Sequence, residues 1–242
     1  MSYDPRRVIR DLSISTKIYL GLITFMFAVK VTFLLFPTVF PGADQEGAFS
    51  WTTILAITAM GFVGLVLARR TGFPEIWDNK VSNRQRFLIP VVIGLVYGAI
   101  TVIIDLRNPS PVHLQLPLSI PFYAYGALLL EIMLRLFTIP LLVWLFSTVT
   151  LRGKWQTQIF WIAAIMAALY EPLPHLREQL SGVSGFAVLI IIKWVIEPLF
   201  LANVVSGWLF RRFGFLAALV MRLSFYLVWH IIYGGLISTA IR

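Results

Sequence analysis

Four groups of ionisable side chains interrupt otherwise apolar stretches of this sequence, and all four repeat a spacing of four residues. They are Glu131 with Arg135, Glu171 with His175, Lys193 with Glu197, and the stripe Arg222, Tyr226 and His230. On an α-helix that spacing stacks side chains on one face. The residue types suit proton-transfer chemistry. A carboxylate or an imidazole can act as general base, and a guanidinium or phenol can stabilise an oxyanion. Each group also has a purely architectural reading. Arg135 neutralises Glu131 and locks a bundle, and Lys193 with Glu197 enters lipid as a near-neutral unit. Glu171 and His175 are separated by Pro172 and Pro174, which disfavour a regular helix and suit a turn at a membrane surface. Lys30 stands alone and reads as snorkelling or as paired with a distant partner.

The elements that must position these groups are set by composition. The chain has 242 residues, 59% hydrophobic and 13% charged, with a mean hydropathy of +0.84. A soluble domain carries about 25% charged and about 45–50% apolar residues. Too few charges are left to cover a water-facing surface, so lipid must solvate most of the chain. The apolar residues come in long blocks. A hydrocarbon core of ~30 Å needs ~20 helical residues, and the blocks at 18–40, 51–68, 87–104, 116–150, 158–170, 185–210 and 213–241 read as spans. The first is too long for a signal-peptide core and is kept as a span. The fourth would measure ~50 Å as one helix, so it is either a long tilted helix, kinked near Pro140, or two segments. There is no cysteine, which excludes disulfides, thiolate metal sites and thiol nucleophiles. No GxGxxG, Walker A, HExxH or GxSxG pattern is present.

Charge asymmetry arbitrates the topology. With seven spans and a cytoplasmic N-terminus, thirteen basic residues fall inside: Arg6, Arg7, Arg10, Lys17, Arg69, Arg70, Lys80, Arg84, Arg86, Arg152, Lys154, Arg211 and Arg212. Three fall outside: Arg107, Arg177 and Arg242. That partition obeys the positive-inside rule, and it accounts for the net charge of +9 without nucleic acid. The expectation is an all-α, polytopic transmembrane helical bundle of about seven spans, forming a single domain over residues 1–242.

Three of the four groups also occur in a recognisable order. Glu131 and Arg135 lie in Gly126-Ala-Leu-Leu-Leu-Glu-Ile-Met-Leu-Arg135, His175 follows at the end of Tyr170-Glu-Pro-Leu-Pro-His175, and Gly207-Trp-Leu-Phe-Arg-Arg-Phe-Gly-Phe-Leu-Ala-Ala-Leu-Val-Met-Arg222 leads into the last stripe. Over residues 120–240 this resembles the CPBP family, which includes CAAX prenyl endopeptidases and bacteriocin-processing or immunity proteins. Its members are all-α intramembrane proteases with a Glu-Glu-x-x-x-Arg motif, then Phe-x-x-x-His, then a final His followed four residues later by Asn or Asp. The first Glu and the histidines activate water, and the Asn helps to stabilise the oxyanion. Here Leu130 stands at the first Glu, Glu171 at the Phe, Arg222 at the final His and Tyr226 at the Asn or Asp, with His230 one turn further on.

The resemblance implies a membrane-embedded peptidase-like protein of a prokaryotic cytoplasmic membrane, with the bilayer and a membrane-associated peptide or protein as partners. A divalent metal is left open, and none is required. Two mechanisms remain. In one, Glu131 or Glu171 replaces the missing base beside His175, and Arg222 or Tyr226 stabilises the oxyanion. In the other, the cavity only binds, because an arginine in place of histidine cannot shuttle protons near neutral pH. Immunity or assembly roles fit the second mechanism. A small transporter is a third alternative, since Glu, His and Arg in facing spans also build relays.

Overall fold

The structure, a computed structural model, describes residues 13–40, 47–107, 113–171 and 198–237. Every regular element among them is helical. In chain order these are α1 (Ile14–Leu35), α2 (Trp51–Arg70), α3 (Arg84–Asp105), α4 (Ser119–Thr150), α5 (Gln156–Leu169), α6 (Pro198–Phe213) and α7 (Phe215–Gly235). Five of them, α1 to α4 and α7, are long and apolar enough to cross a membrane. The expected span at 158–170 is the 14-residue α5, shorter than a bilayer needs. The one expected at 185–210 is described only from Pro198 onward, so Lys193, Glu197 and also His175 lie outside the described residues.

Local sequence explains where helices begin and how they run. Ser13 and Ser50 cap α1 and α2 by accepting the amides of Thr16 and Thr53 at 3.2 and 3.1 Å, which satisfies donors that a helix start leaves open. The fourth block is one continuous helix of 32 residues, ~48 Å long at the α-helical rise. Pro140 does not break it. The backbone widens to i→i+5 bonding over Ile132–Thr138 and Val143–Thr150, and Thr138 Oγ1 donates to the Met133 carbonyl at 2.7 Å. That local rewinding accommodates the amide proton the proline lacks.

The bundle is organised around α4 and α7. Of their apolar windows 50% and 56% are buried, against 22% for α3. Outward faces carry Leu55, Val96, Ile103 and Ile162, each more than half exposed, the surface that acyl chains would solvate. Inside, α7 lies against α3 at very short range. A Cβ on Gly94 would run into the Met221 carbonyl and sit 2.7 Å from Ser224 Cβ, and one on Gly98 would sit 2.6 Å from Val228 Cβ. Lipid offers helices no hydrophobic drive to associate, so close backbone approach at small residues four apart supplies packing in its place.

One end of the bundle is tied by polar contacts. Glu75 Oε2 accepts from Ser15 Oγ at 2.9 Å and Arg69 Nη2 at 3.0 Å. Buried Arg86 donates to the Asp78 and Val81 carbonyls at 2.6 and 2.9 Å and stacks 3.8 Å from the Trp77 ring. Gln156 reaches the Thr71 carbonyl, and Arg211 Nη2 donates to Thr157 Oγ1 at 2.8 Å. These contacts gather the start of α1, the 71–83 connection, the starts of α3 and α5 and the end of α6. Lys17, Arg69, Arg70, Lys80, Arg84, Arg86, Arg152, Lys154, Arg211 and Arg212 all lie on those segments, on the end of α2 or on the 151–155 connection that leads into α5.

The α3–α7 contact gives a stability prediction. Gly98→Val should destabilise the purified protein by about 1–3 kcal/mol through overpacking. Gly21→Ala, where an added Cβ meets nothing within 4 Å, should be near neutral. Denaturant unfolding in detergent micelles compares the two.

Candidate functional site

Where α4, α6 and α7 meet, α4 turns two side chains one turn apart toward the same interior point. Glu131 is 0% and Arg135 1% exposed. The Arg135 Nε lies 3.6 Å from Glu131 Oε2, an ion pair rather than a hydrogen bond. The stronger partner of Glu131 comes from α7: Arg222 Nε donates to Glu131 Oε1 at 2.6 Å. Ser206 Oγ of α6 adds bonds to both carboxylate oxygens at 3.2 and 3.3 Å.

Arg222 continues outward from that bond. Its Nη1 donates to Glu171 Oε1 at 3.1 Å and lies 3.0 Å from Oε2, and it also reaches Tyr226 Oη at 3.1 Å. Its Nη2 donates to Asn203 Oδ1 at 2.6 Å. Asn203 is the second hub. The same Oδ1 accepts from Arg135 Nη2, the Asn203 backbone carbonyl accepts from that nitrogen at 3.0 Å, and Nδ2 donates to Glu171 Oε2 at 2.7 Å. Two guanidinium groups therefore face two carboxylates, with an amide, a hydroxyl and a phenol filling the gaps. A charge in low dielectric is expensive unless it is paired and hydrogen-bonded. This set of formal charges cancels.

The structure thus brings together Glu131, Arg135, Glu171, Arg222 and Tyr226. It does not bring His230 into the same set. That imidazole lies between the rings of Tyr123 and Trp229, with centroids at 3.9 and 4.1 Å, and it touches the cluster only through the Tyr226 ring at 4.9 Å. Lys30 is elsewhere, buried on α1 with its amine 6.0 Å from the Trp51 ring. Asn203 and Ser206 escaped the sequence reading. The available signal was their spacing of three in the apolar run of α6, which puts both on one face.

Chemically, the cluster is short of unclaimed acceptors. General-base catalysis needs a carboxylate lone pair aimed at a water, whereas every oxygen of Glu131 and Glu171 already faces a donor in this network. A small cavity of about 10 Å³ does open beside Asn203, Ser206 and Arg222, closed by Leu199, Ala202 and Met221, which is room for about one water. Among the described residues, no three His, Asp or Glu side chains converge as a metal site. Comparison of the chain with protein-family models, curated proteins and solved structures gave no match.

The two-hub geometry makes Asn203 testable. Asn203→Ala removes the acceptor shared by both arginines and the amide donor to Glu171, leaving buried charged groups unpaired. A loss of about 3 kcal/mol or more is expected, read by denaturant unfolding in micelles, while Lys80→Ala at an exposed position of the basic-end connection should stay within ~0.5 kcal/mol.

Proposed function

We propose that this chain is a peptidase-like integral membrane protein of the CPBP type whose motif positions have become a charge-balanced lock, so that it binds a membrane-associated peptide or protein segment without cutting it. The observation that carries this reading is Arg222. It occupies the position of the family's final histidine and bonds to both Glu131 and Glu171. A permanently charged guanidinium neither accepts nor releases a proton near neutral pH. Its bonds to both carboxylates remove the two residues that sequence reasoning offers as replacement bases. The binding role belongs to the same class as immunity or assembly proteins.

In this reading the chain sits in a prokaryotic cytoplasmic membrane with seven spans and its N-terminus inside. Support comes from the basic end of the bundle. Ten lysines and arginines on segments joined there face Arg107 at the opposite end of α3, the asymmetry expected when the basic end is cytoplasmic.

The cavity beside Asn203, Ser206 and Arg222 favours one second reading, hydrolysis. A water there would be the nucleophile, with Arg222 beside it to stabilise an oxyanion, but Glu171 or Glu131 would first have to leave its arginine partner to act as base.

Cleavage of membrane-tethered peptides by the purified protein separates the two. Binding without hydrolysis predicts no product above that of Glu171→Ala, together with photo-crosslinking of the intact peptide. Product formed by wild type and lost in both Glu171→Ala and His175→Ala would overturn the proposal in favour of a rewired protease.

A further inference from the structure

Away from the arginine cluster, toward the end of the bundle opposite the basic segments, lies a second concentration of unsatisfied polar atoms. Seven buried side-chain nitrogens and oxygens have no hydrogen-bond partner among the described residues, and four of them are here: His113 Nδ1, Ser119 Oγ, Trp229 Nε1 and His230 Nδ1. A buried polar atom left unmatched is costly, so four in one place call for a ligand.

Two of them belong to imidazoles prepared for coordination. His113 Nε2 lies 2.9 Å from Asp105 Oδ2, with both side chains more than nine-tenths buried. A carboxylate only accepts, so Nε2 carries a proton, and the neutral imidazole then offers its Nδ1 lone pair. A carboxylate on the far nitrogen is how metal-ligating histidines are oriented. His230 is 6% exposed, and the Tyr123 ring stacked on it and the Trp229 ring tilted at 34° against it fix its plane and leave its edge for bonding.

The two rings are also mutually placed for one ion. Gly234 follows His230 by one helical turn, on the same face of α7. A Cβ there would collide with His113 Nδ1 and lie 2.6 Å from its Cγ, so the Nδ1 edge of His113 rests against the face that carries His230. The ring centroids are 5.6 Å apart at 66°. With metal–nitrogen bonds of ~2.0–2.1 Å, two imidazoles sharing an ion at a tetrahedral or trigonal angle have centroids roughly 5–6 Å apart.

We propose that His113 Nδ1 and His230 Nδ1 bind one imidazole-seeking transition-metal ion of the Zn²⁺ class, with Asp105 orienting His113 and water completing the shell. Thiolate-selective ions are disfavoured because the chain has no cysteine. Mg²⁺ and Ca²⁺ prefer all-oxygen shells, which two imidazoles do not supply. The site is independent of the arginine cluster and of what that cluster does.

The chain contains three histidines, which makes the test compact. Chelator-stripped full-length protein in detergent is titrated with Zn²⁺, with Mg²⁺ as the control ion, and X-ray absorption of the loaded wild type counts imidazole ligands. One Zn²⁺ per chain with two imidazoles is expected. Affinity should fall at least tenfold in His113→Gln and in His230→Gln, fall about 10–100-fold in Asp105→Asn, and stay unchanged in His175→Gln. Fewer than two imidazoles in the absorption spectrum, affinity untouched by both His113→Gln and His230→Gln, or no binding by folded wild type would each overturn the site. The absorption measurement stands even if a variant fails to fold.

Discussion

Arg222 reaches four side chains with three nitrogens. Nε bonds to Glu131 on α4, Nη1 to Glu171 beyond α5 and to Tyr226 on its own helix, and Nη2 to Asn203 on α6. Asn203 joins the same elements from the side of α6. A guanidinium placed alone in this interior would be prohibitively costly to desolvate. It is tolerable because two carboxylates stand against it and Arg135, and because its rigid fork matches several acceptors at once. The rest of the interior follows from keeping that set closed. Ser206 adds a donor to the Glu131 carboxylate, Asn203 supplies an acceptor to both guanidiniums, and Tyr226 caps the outward edge.

Such a network sits naturally in a membrane bundle. Helices in lipid gain little from burying apolar surface against one another, so association draws on close packing and polar contacts. The two devices are layered here. Gly94 and Gly98 let α3 press onto α7, holding the helix that carries Arg222. The 32-residue α4 presents Glu131 and Arg135 midway along its length while its i→i+5 segments take up Pro140. At the basic end Arg86, Trp77, Glu75 and Ser15 fasten the connection between α2 and α3. An arginine at the centre of such a network fixes geometry without carrying protons near neutral pH, because a guanidinium stays charged.

Much of the helical plan was legible in the sequence because the bilayer imposes it: apolar blocks of span length marked α1 to α4 and α7. The pairs Glu131–Arg135 and Arg222–Tyr226 were legible because spacing of four fixes a helix face. Depth was not. His230 shares a face with Arg222 but lies eight residues on, ~12 Å along the axis, and so belongs to a different layer with His113 and Asp105. Cross-helix partners were not legible either. Nothing in the α6 sequence says that Asn203 meets two arginines of other helices, and nothing around Asp105 says that His113, eight residues away, folds back onto it. Those contacts depend on helix rotation and packing, which one-dimensional periodicity does not encode.

Glu131 and Arg222, bonded at 2.6 Å, should behave energetically as one unit. A double-mutant cycle tests it most directly, with Glu131→Gln, Arg222→Gln and the double variant compared by denaturant unfolding in micelles. Removing one partner of a buried pair strands the other, so each single variant should lose about 3–5 kcal/mol, whereas the double variant should lose far less than their sum. Single losses that simply add in the double variant would contradict the account, since the two residues would then be buried side by side without depending on one another.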